Sequence, residues 1–544
     1  MPQEKKQNFM VGAAILTVST LAVKILGLLF SMFLANFIDT ESMAYFYTAY
    51  DIFSVFLMLS TAGLPIAVSR MVGTAYAQGR KKEADRVFFV AFWLFFGIGL
   101  LGCLAMFFGA DWISSTVMST PGAAPAVMAL SPTMFFISVM SALRGYFQGR
   151  SNMTPTAVSQ TIEAVTKVIV GVGLAIYILQ RYDSHDWAAV GAIVGVSFSA
   201  FLGTLYLALY KLRQNRKDRA AAQPQDDVSA SSKELFLNLL KFAIPITLGS
   251  CFLSFLDMTD SAILMHRLQT AAGFSEVEAN FLKGLLGHAR KFFDLPGAFV
   301  IPISTSLLPV LSGAAASNDQ RSVNHISSVS LRVTFLISVP ASVGMCLFAE
   351  PICALLLPGN PEAAAGTAPL LSLLSVAIAF NCTLYTTNAI LQALGHPSIP
   401  VVNMAIGGLI KIALSYVLNG IPEINVMGSA ISTIVSYFLI MALNFIFIRR
   451  FLPTVSGIVL PTVSIVLASG IMGAFSYAAY AVLKLFLPIR AAVLPAIVLA
   501  VLVYAAGVVL LHAVNYDDVA MLPKGETIAR LLHIRKESRP KHFK

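Results

Sequence analysis

Fourteen apolar runs, separated by glycine, proline and charged residues, dominate this sequence of 544 residues. A helix needs about 20 apolar residues to cross a membrane, and all of the runs reach that length. In chain order they occupy 9–38, 44–68, 87–109, 124–143, 156–179, 187–210, 235–265, 292–312, 326–357, 367–394, 399–418, 426–451, 456–484 and 489–514. Only 12% of the residues are charged, against about 25% in ordinary soluble domains. The sequence therefore predicts an all-α polytopic membrane protein with about 14 transmembrane helices.

Lysine and arginine recur in alternate connections between the runs. The connections after the second, sixth and twelfth runs and the C-terminal segment are basic, whereas 110–123, 358–366 and 419–425 contain neither residue type. Because positive charge is retained on the cytoplasmic side, both termini are predicted to be cytoplasmic. Arg267 and Lys283, on the predicted outer side, are exceptions to this pattern. The net charge of +10 is dispersed between apolar runs, which argues against nucleic acid as a partner.

The only long polar break is 211–234, and it predicts a joint between two halves. At an offset of 244 residues, Pro65 falls on Pro309 and Lys167 on Lys411, as expected for parallel repeats. We therefore expect two six-helix lobes related by a pseudo-twofold axis along the membrane normal. The predicted parts are an N-terminal lobe (1–210), a cytoplasmic linker (211–234), a C-terminal lobe (235–452), two extra C-terminal helices (453–514) and a basic cytoplasmic tail (515–544).

Lys24 interrupts the first apolar run. Each end of that run is about 20 Å away along a helix, which is too far for the ammonium group to reach easily. A charge at mid-bilayer costs at least about 2.5–3.5 kcal/mol. Lys24 is therefore expected to face a watery cavity or a carboxylate, unless the true span is offset and leaves it near one membrane face.

Further charges lie at membrane depth. Glu163 and Lys167 have the i, i+4 spacing of an ion pair within one helix. Asp257 and Asp260 share a helix face and can hold Na⁺ or a proton through oxygen ligands; alternatively, one of them pairs with Lys24 or Arg267. Asn403 can add an amide oxygen to such a site or make a hydrogen bond between packed helices.

Four prolines mark candidate hinges. Pro65 follows Ala-Gly-Leu in the second run, and the eighth run contains Pro296, Pro302 and Pro309. Proline interrupts helical hydrogen bonds, and the freed carbonyl groups are tolerated where they line a cavity. These positions are predicted bending points.

Motifs of enzymes are absent from the sequence. It contains no Gly-x-x-x-x-Gly-Lys-Ser/Thr, Gly-x-Ser-x-Gly or His-Glu-x-x-His, which carry nucleotide, acyl-transfer and zinc chemistry. We therefore predict no catalytic activity, no resident metal and no cofactor other than a coupling ion.

Three segments resemble a known superfamily. Residues 143–149 with 152–157 resemble the junction of the fourth and fifth helices of polysaccharide-biosynthesis flippases, and 61–69 and 293–312 resemble further parts of them. On these segments the chain resembles the multidrug/oligosaccharidyl-lipid/polysaccharide (MOP) exporter superfamily. Within it, the chain is most similar to the branch of MurJ-like lipid II flippases and stage V sporulation protein B. Fourteen helices match that branch, whereas drug exporters of the superfamily usually have twelve.

The resemblance implies two lobes around a cationic cavity that receives a sugar-pyrophosphate headgroup. Lys24 occupies a helix-one position where relatives commonly have arginine, and Arg267 resembles a second basic contact. Arg144 in the first matching segment and Asp294 before a Leu-Pro pair complete the predicted headgroup site. Phe30 stands where many relatives have a further arginine.

The predicted function is a flippase that moves lipid II across a bacterial cytoplasmic membrane by alternating access. Its drive would be the membrane potential or a gradient of Na⁺ or H⁺, and the two extra helices would hold the polyprenyl tail. The expected partners are the lipid-linked sugar pyrophosphate, membrane lipids and the cell-wall synthesis machinery. The alternatives are a flippase for another lipid-linked polysaccharide, a cation-coupled multidrug exporter, and a non-transporting scaffold for cell-wall synthases.

Overall fold

The computed structural model describes residues 9–220, 231–452, 459–511 and 513. Within these ranges the protein is helical, without a β-strand. The α-helices are α1 Phe9–Phe37, α2 Thr40–Thr61, α3 Leu64–Ala77, α4 Lys81–Trp112, α5 Ala124–Gly149, α6 Thr154–Thr166, α7 Val172–Tyr182, α8 His185–Ala220, α9 Ser232–Thr270, α10 Glu276–Phe293, α11 Leu295–Ala316, α12 Gln320–Leu347, α13 Ala349–Leu356, α14 Pro361–Ala393, α15 Ser398–Leu418, α16 Met427–Phe451, α17 Val459–Leu483 and α18 Ile489–Leu510.

The polytopic, all-helical architecture is confirmed. Among the described residues, 12 helical stretches are long and apolar enough to cross a membrane. The second and seventh predicted runs correspond to α2 and α9, of 22 and 39 residues. Both are long helices: Asp51 interrupts the apolar character of α2, whereas in α9 the stretch 242–256 has no charged residue and Asp257 and Asp260 follow it. Within the described residues, every predicted run therefore overlaps one of these 12 helical stretches or α2 or α9.

Helix breaks occur next to two of the four predicted hinge prolines. Pro65 lies in the first turn of α3, directly after the break from α2, and Pro296 lies in the first turn of α11. Proline is well accommodated in a first turn, where the backbone N–H has no helical partner. Pro302 and Pro309 instead lie inside the continuous α11. Movement at any of these positions stays a prediction.

The helix α8 continues into the segment interpreted as a linker. It ends at Ala220, so the first ten residues of 211–234 are helical. Leucine, arginine, lysine and glutamine, which favour helices, make up most of this extension. Lys211 also anchors it, because its Nζ lies 2.8 Å from the carboxylate of Asp85. Residues 221–230 lie outside the described part of the chain.

The chain forms two compact units. The first comprises the described residues up to Gly287 together with Ser415–Val426, and the second comprises His288–Leu414 and the described residues from Met427 onward. In the first unit α5 is largely buried and packs against α2, α3, α4 and α8. In the second unit α14 has the corresponding place, between α11, α12, α13 and α16. The helix α9 packs against α2, α3 and α4 and thus belongs to the first unit.

The helix α10 begins with a capping box and packs closely on α2. The backbone N–H and Oγ of Ser275 donate to the carboxylate of Glu278, each at 2.8 Å. Hydrogen bonds of this kind satisfy backbone groups that have no helical partner at the start of a helix. These hydrogen bonds lower the pKa of Glu278. Further along α10, a Cβ on Gly284 would collide with the carbonyl oxygen of Thr40. Glycine is therefore required for this close approach of α10 to α2.

Candidate functional site

The side of α1 that carries Lys24 lies beside the fifth span. Ser19 Oγ donates to the carbonyl oxygen of Ala157 at 3.0 Å and joins α1 to α6. Lys24 is exposed. Lys167 Nζ lies 3.9 Å from the place that a Cβ on Gly27 would occupy. Gly27 follows Lys24 by three residues, so the two share a helix face. The structure thus brings Lys167 to the face of α1 that carries Lys24.

A π-helical turn, Lys167–Gly171, separates α6 from α7. The ammonium group of Lys167 lies 5.4 Å from the centre of the Phe30 ring, within the range of a cation–π interaction. A Cβ on Gly171 would contact both the Phe30 ring and the carbonyl oxygen of Ala192. The turn is therefore packed tightly between α1 and α8. Such π turns occur frequently at functional sites, and no sequence pattern used above indicated this one.

The structure gives Glu163 a partner other than the one that sequence spacing suggested. Its Oε2 lies 3.1 Å from Nη2 of Arg144, and Arg144 Nε also donates to Ser159 Oγ at 3.1 Å. The pair joins α5 to α6, whereas i, i+4 spacing identifies only neighbours on one helix. The predicted pairing of Glu163 with Lys167 stays a prediction. Arg144 contributes to this region as one half of a charge-neutral pair.

The described contacts of Arg267 are at the end of α15 and do not include α1. Its Nε donates to the carbonyl oxygen of Tyr416 at 2.8 Å, and its guanidinium group lies 4.3 Å from the centre of the Tyr416 ring. Tyr416 is in the last turn of α15, where carbonyl groups favour a cation. The structure places Arg267 on Tyr416, and its predicted contact with a headgroup stays a prediction.

Asp257 and Asp260 have different environments. The side chain of Asp260 accepts a hydrogen bond from Ser415 Oγ at 2.6 Å, and the residue is only 1% exposed. Asp257 is exposed. Over the described ranges, no group of three or more His, Cys, Asp or Glu side chains is suited to hold a metal ion. Binding of a coupling ion by these aspartates stays a prediction.

Asn403 belongs to a buried amide network. Its Nδ2 donates to Asn444 Oδ1 at 2.8 Å, and Asn444 Nδ2 donates to Asn388 Oδ1 at 2.8 Å and to Thr387 Oγ1 at 3.0 Å. These hydrogen bonds join α14, α15 and α16. They are the contacts that a helix-packing role requires. Ion coupling through Asn403 has no support from them and stays a prediction.

Asp294 lies in the second unit, at the residue that precedes α11. Its side chain is exposed, whereas the adjacent Phe293 is buried and stacks on Tyr437 with ring centres 6.3 Å apart. Its predicted contact with a headgroup stays a prediction.

One cluster of three polar side chains between helices was not predicted from the sequence. Asp51 Oδ2 lies 3.4 Å from Lys283 Nζ and accepts a hydrogen bond from Ser261 Oγ at 2.6 Å. The Lys283 side chain is only 4% exposed. The three residues join α2, α10 and α9. Asp51 interrupts the second apolar run as Lys24 interrupts the first, so the same sequence argument applied there could have found it.

Comparison with known proteins places the chain in a family. A family model described as Polysaccharide biosynthesis protein matches residues 9–314, which is more than half of the chain. The chain belongs to the polysaccharide biosynthesis protein family. A second family model, MatE, matches residues 245–417. Both matches agree with membership of the MOP superfamily, which the sequence analysis predicted and which is confirmed.

Two relatives from Bacillus subtilis (strain 168) cover most of the chain. Stage V sporulation protein B is 25% identical over 82% of this chain and 85% of its own length. Lipid II flippase MurJ is 24% identical over 81% of this chain and 82% of its own length. The second of these relatives is a flippase by name, and the prediction of a transporter rather than an enzyme is confirmed.

Solved structures show the same fold. The structure described as lipid II flippase MurJ, inward closed conformation, has a TM-score of 0.69 and 17% identity, and it covers 91% of this chain and 98% of that one. An inward-facing multidrug resistance MATE family transporter has a TM-score of 0.67 and 15% identity, over 81% of this chain and 98% of that one. At these identities the likeness establishes the fold of a multi-pass membrane transporter.

Proposed function

We propose that this protein is a flippase that moves lipid II from the inner to the outer leaflet of the bacterial cytoplasmic membrane. The observation that carries the proposal is a basic surface within apolar spans, where Lys167 of the π turn lies against the face of α1 that carries Lys24. Cations at membrane depth are costly and are retained where they bind a ligand or ion. Similarity to a lipid II flippase over 81% of the chain supports the choice of substrate.

A basic surface within apolar spans is suited to transport of a phosphorylated headgroup. A sugar-pyrophosphate headgroup cannot cross about 30 Å of hydrocarbon without replacement of its hydration. Ammonium and guanidinium groups supply charge-assisted hydrogen bonds to phosphate, while the polyprenyl tail can remain in lipid or beside α17 and α18. Alternating access would then deliver the headgroup to the outer side. A membrane potential, worth about 2.3 kcal/mol per charge per 100 mV, or a Na⁺ or H⁺ gradient would drive it.

Depletion of the protein in its native cells tests this proposal. We expect lipid II to accumulate in the inner leaflet, measured by its accessibility to a probe added outside. Wild-type protein and Lys24→Arg should restore the normal distribution, whereas Lys24→Gln should not, although it reaches the membrane in equal amounts. A normal lipid II distribution in depleted cells would contradict the proposal. Full activity of Lys24→Gln would favour a scaffold that works with the cell-wall synthesis machinery.

Similarity to stage V sporulation protein B supports a second candidate, a flippase for another polyprenyl-linked polysaccharide. The same depletion distinguishes it, because a different lipid-linked precursor would then accumulate on the inner side. The MatE match to 245–417 raises the alternative of a multidrug exporter. Basic residues such as Lys24 argue against it, since a cationic drug would be repelled by them.

A further inference from the structure

The first unit contains a cavity of about 470 Å³ beside the membrane-spanning part of α4. Its volume is in the range of about 300–1,000 Å³ that is usual for ligand pockets. The walls come from α2, the first residue of α3, α4, α5 and α9, and they include Phe56, Leu64, Ile98, Met134 and Leu240. The proposed function gives this cavity no role.

The mouth of the cavity lies among apolar side chains within the span. Leu101 and Ala105 of α4 and Ile244 of α9 line the cavity and are exposed. Leu100 and Leu104, their neighbours on α4, are exposed as well. All four α4 residues belong to the apolar run 87–109. Since apolar side chains that a span exposes at this depth face the hydrocarbon of the bilayer, lipid chains have access to the cavity.

The lining suits neither water nor a charged group. Thr247 is the one polar side chain among the described residues that line the cavity. Its Oγ1 is buried and has no hydrogen-bond partner within the described part of the chain. An ordered water needs two to four polar partners, and an empty apolar space forfeits the dispersion contacts of its lining. A hydrocarbon chain restores these contacts without a polar partner.

Close helix contacts hold the walls of the cavity in place. A Cβ on Gly63, at the break between α2 and α3, would collide with the carbonyl oxygen of Ala243 on α9. A Cβ on Gly102 of α4 would lie 3.0 Å from both Cε and Cγ of Met134 on α5. The break thus rests directly on α9, and α4 rests on α5. The cavity is therefore a preformed feature of the packed helices.

We propose that this cavity binds one hydrocarbon chain of a bilayer phospholipid, which enters from the side between α4 and α9. The chain contacts Phe56 before the break between α2 and α3 and Leu64 after it. Phospholipids surround this surface at a much higher concentration than any lipid-linked precursor, so mass action favours them as the occupant. The site goes beyond the proposed function and does not depend on it.

Photo-crosslinking of the full-length protein in nanodiscs of phosphatidylethanolamine and phosphatidylglycerol tests the site. The probe is a phospholipid with a photoactivatable diazirine at the middle of one acyl chain, and mass spectrometry of peptides locates the adducts. We expect adducts to be enriched on 98–105 and 240–247 relative to α18, whose Val498 and Val501 are exposed to a similar degree as Leu101. Ala105→Phe, which fills the cavity from its mouth, should remove most of the adducts.

Gly97→Phe is the matched control, because Gly97 also lies on α4 and a Cβ there meets nothing within 4 Å. It should keep wild-type labelling, and both phenylalanine variants should keep the wild-type melting temperature. Thr247→Val removes the buried hydroxyl and keeps a similar shape, so its labelling should equal or exceed that of the wild type. Equal labelling of the cavity and α18 in the wild type, wild-type labelling of Ala105→Phe, or a loss in Thr247→Val would each overturn the proposal.

Competition separates a bilayer lipid from the substrate as the source of the chain. A polyprenyl pyrophosphate without a photoactivatable group, added at the concentration of the probe, should leave the adducts unchanged. Displacement of the adducts would overturn the assignment to a bilayer phospholipid and identify a site for the tail of a lipid-linked precursor. The depletion assay is independent of this result, because the distribution of lipid II tests transport alone.

Discussion

At the scale of single residues, charged side chains on different helices pair in ways that sequence spacing does not identify. Arg144 binds Glu163 across two helices, and Asp51 binds both Lys283 and Ser261. In each case the acid and the base come from different helices. Membrane burial makes such pairing favourable, because an isolated charge in apolar surroundings is costly.

The ion pair of Asp51 and Lys283 should contribute to stability. We expect Asp51→Asn and Lys283→Met each to reduce the free energy of unfolding by about 1–3 kcal/mol, between the values for exposed and buried pairs. The double variant should lose less than the sum of the two, which denaturation in detergent would measure.

Glu423→Gln provides the control for this pair. Glu423 is exposed in the connection between α15 and α16, so this substitution should change stability by less than about 0.5 kcal/mol. Strict additivity of Asp51→Asn and Lys283→Met would show that the two side chains do not interact in the folded protein.

At the scale of helices, small residues decide how closely neighbouring helices approach. Gly284 permits α10 to contact the backbone of Thr40, and Gly287 permits it to contact the Tyr47 ring. The pair Gly171 and Gly195 has the same role between the π turn and α8. Helices in membranes associate through close packing of this kind, because lipid offers no hydrophobic driving force for association.

Gly284→Ala should destabilise the protein, since the backbone of Thr40 cannot yield as a flexible side chain does. We expect a loss of about 1–3 kcal/mol in unfolding free energy, measured by thermal or chemical denaturation in detergent. Gly313→Ala is the matched control, because a Cβ there meets nothing within 4 Å. Its stability should be unchanged or slightly higher. Equal behaviour of the two variants would show that α10 does not require close contact with α2.

At the scale of the whole molecule, the distribution of charged residues predicts how the chain is oriented in the membrane. The connection between α3 and α4 contains Arg80, whereas the one between α15 and α16 contains Glu423 and no lysine or arginine. Positive charge is retained in the cytoplasm. The first connection is therefore predicted to be inside and the second outside.

Cysteine labelling measures this orientation. In a variant with the five native cysteines replaced, Glu423→Cys should react with a membrane-impermeant maleimide in intact cells. Gln78→Cys should react only after the cells are opened, and both positions are exposed in the structure. Labelling of Gln78→Cys in intact cells would reverse the predicted orientation of the chain.

The sequence by itself determined the all-helical membrane architecture and the approximate spans, the first of which contains Lys24. Hydropathy and proline or glycine breaks are local properties, so they can be read along the chain. The resemblance of a few segments also identified the superfamily, which the family match confirmed.

Only the tertiary structure decided which charged side chains meet. It joined Glu163 to Arg144, brought Lys167 to α1, placed Arg267 on Tyr416 and revealed the contact of Asp51 with α10. Sequence spacing specifies neighbours on one helix, whereas these contacts depend on which helices pack together and how closely. The packing of the helices is decided by the fit of whole helix surfaces, including the glycines at their contacts.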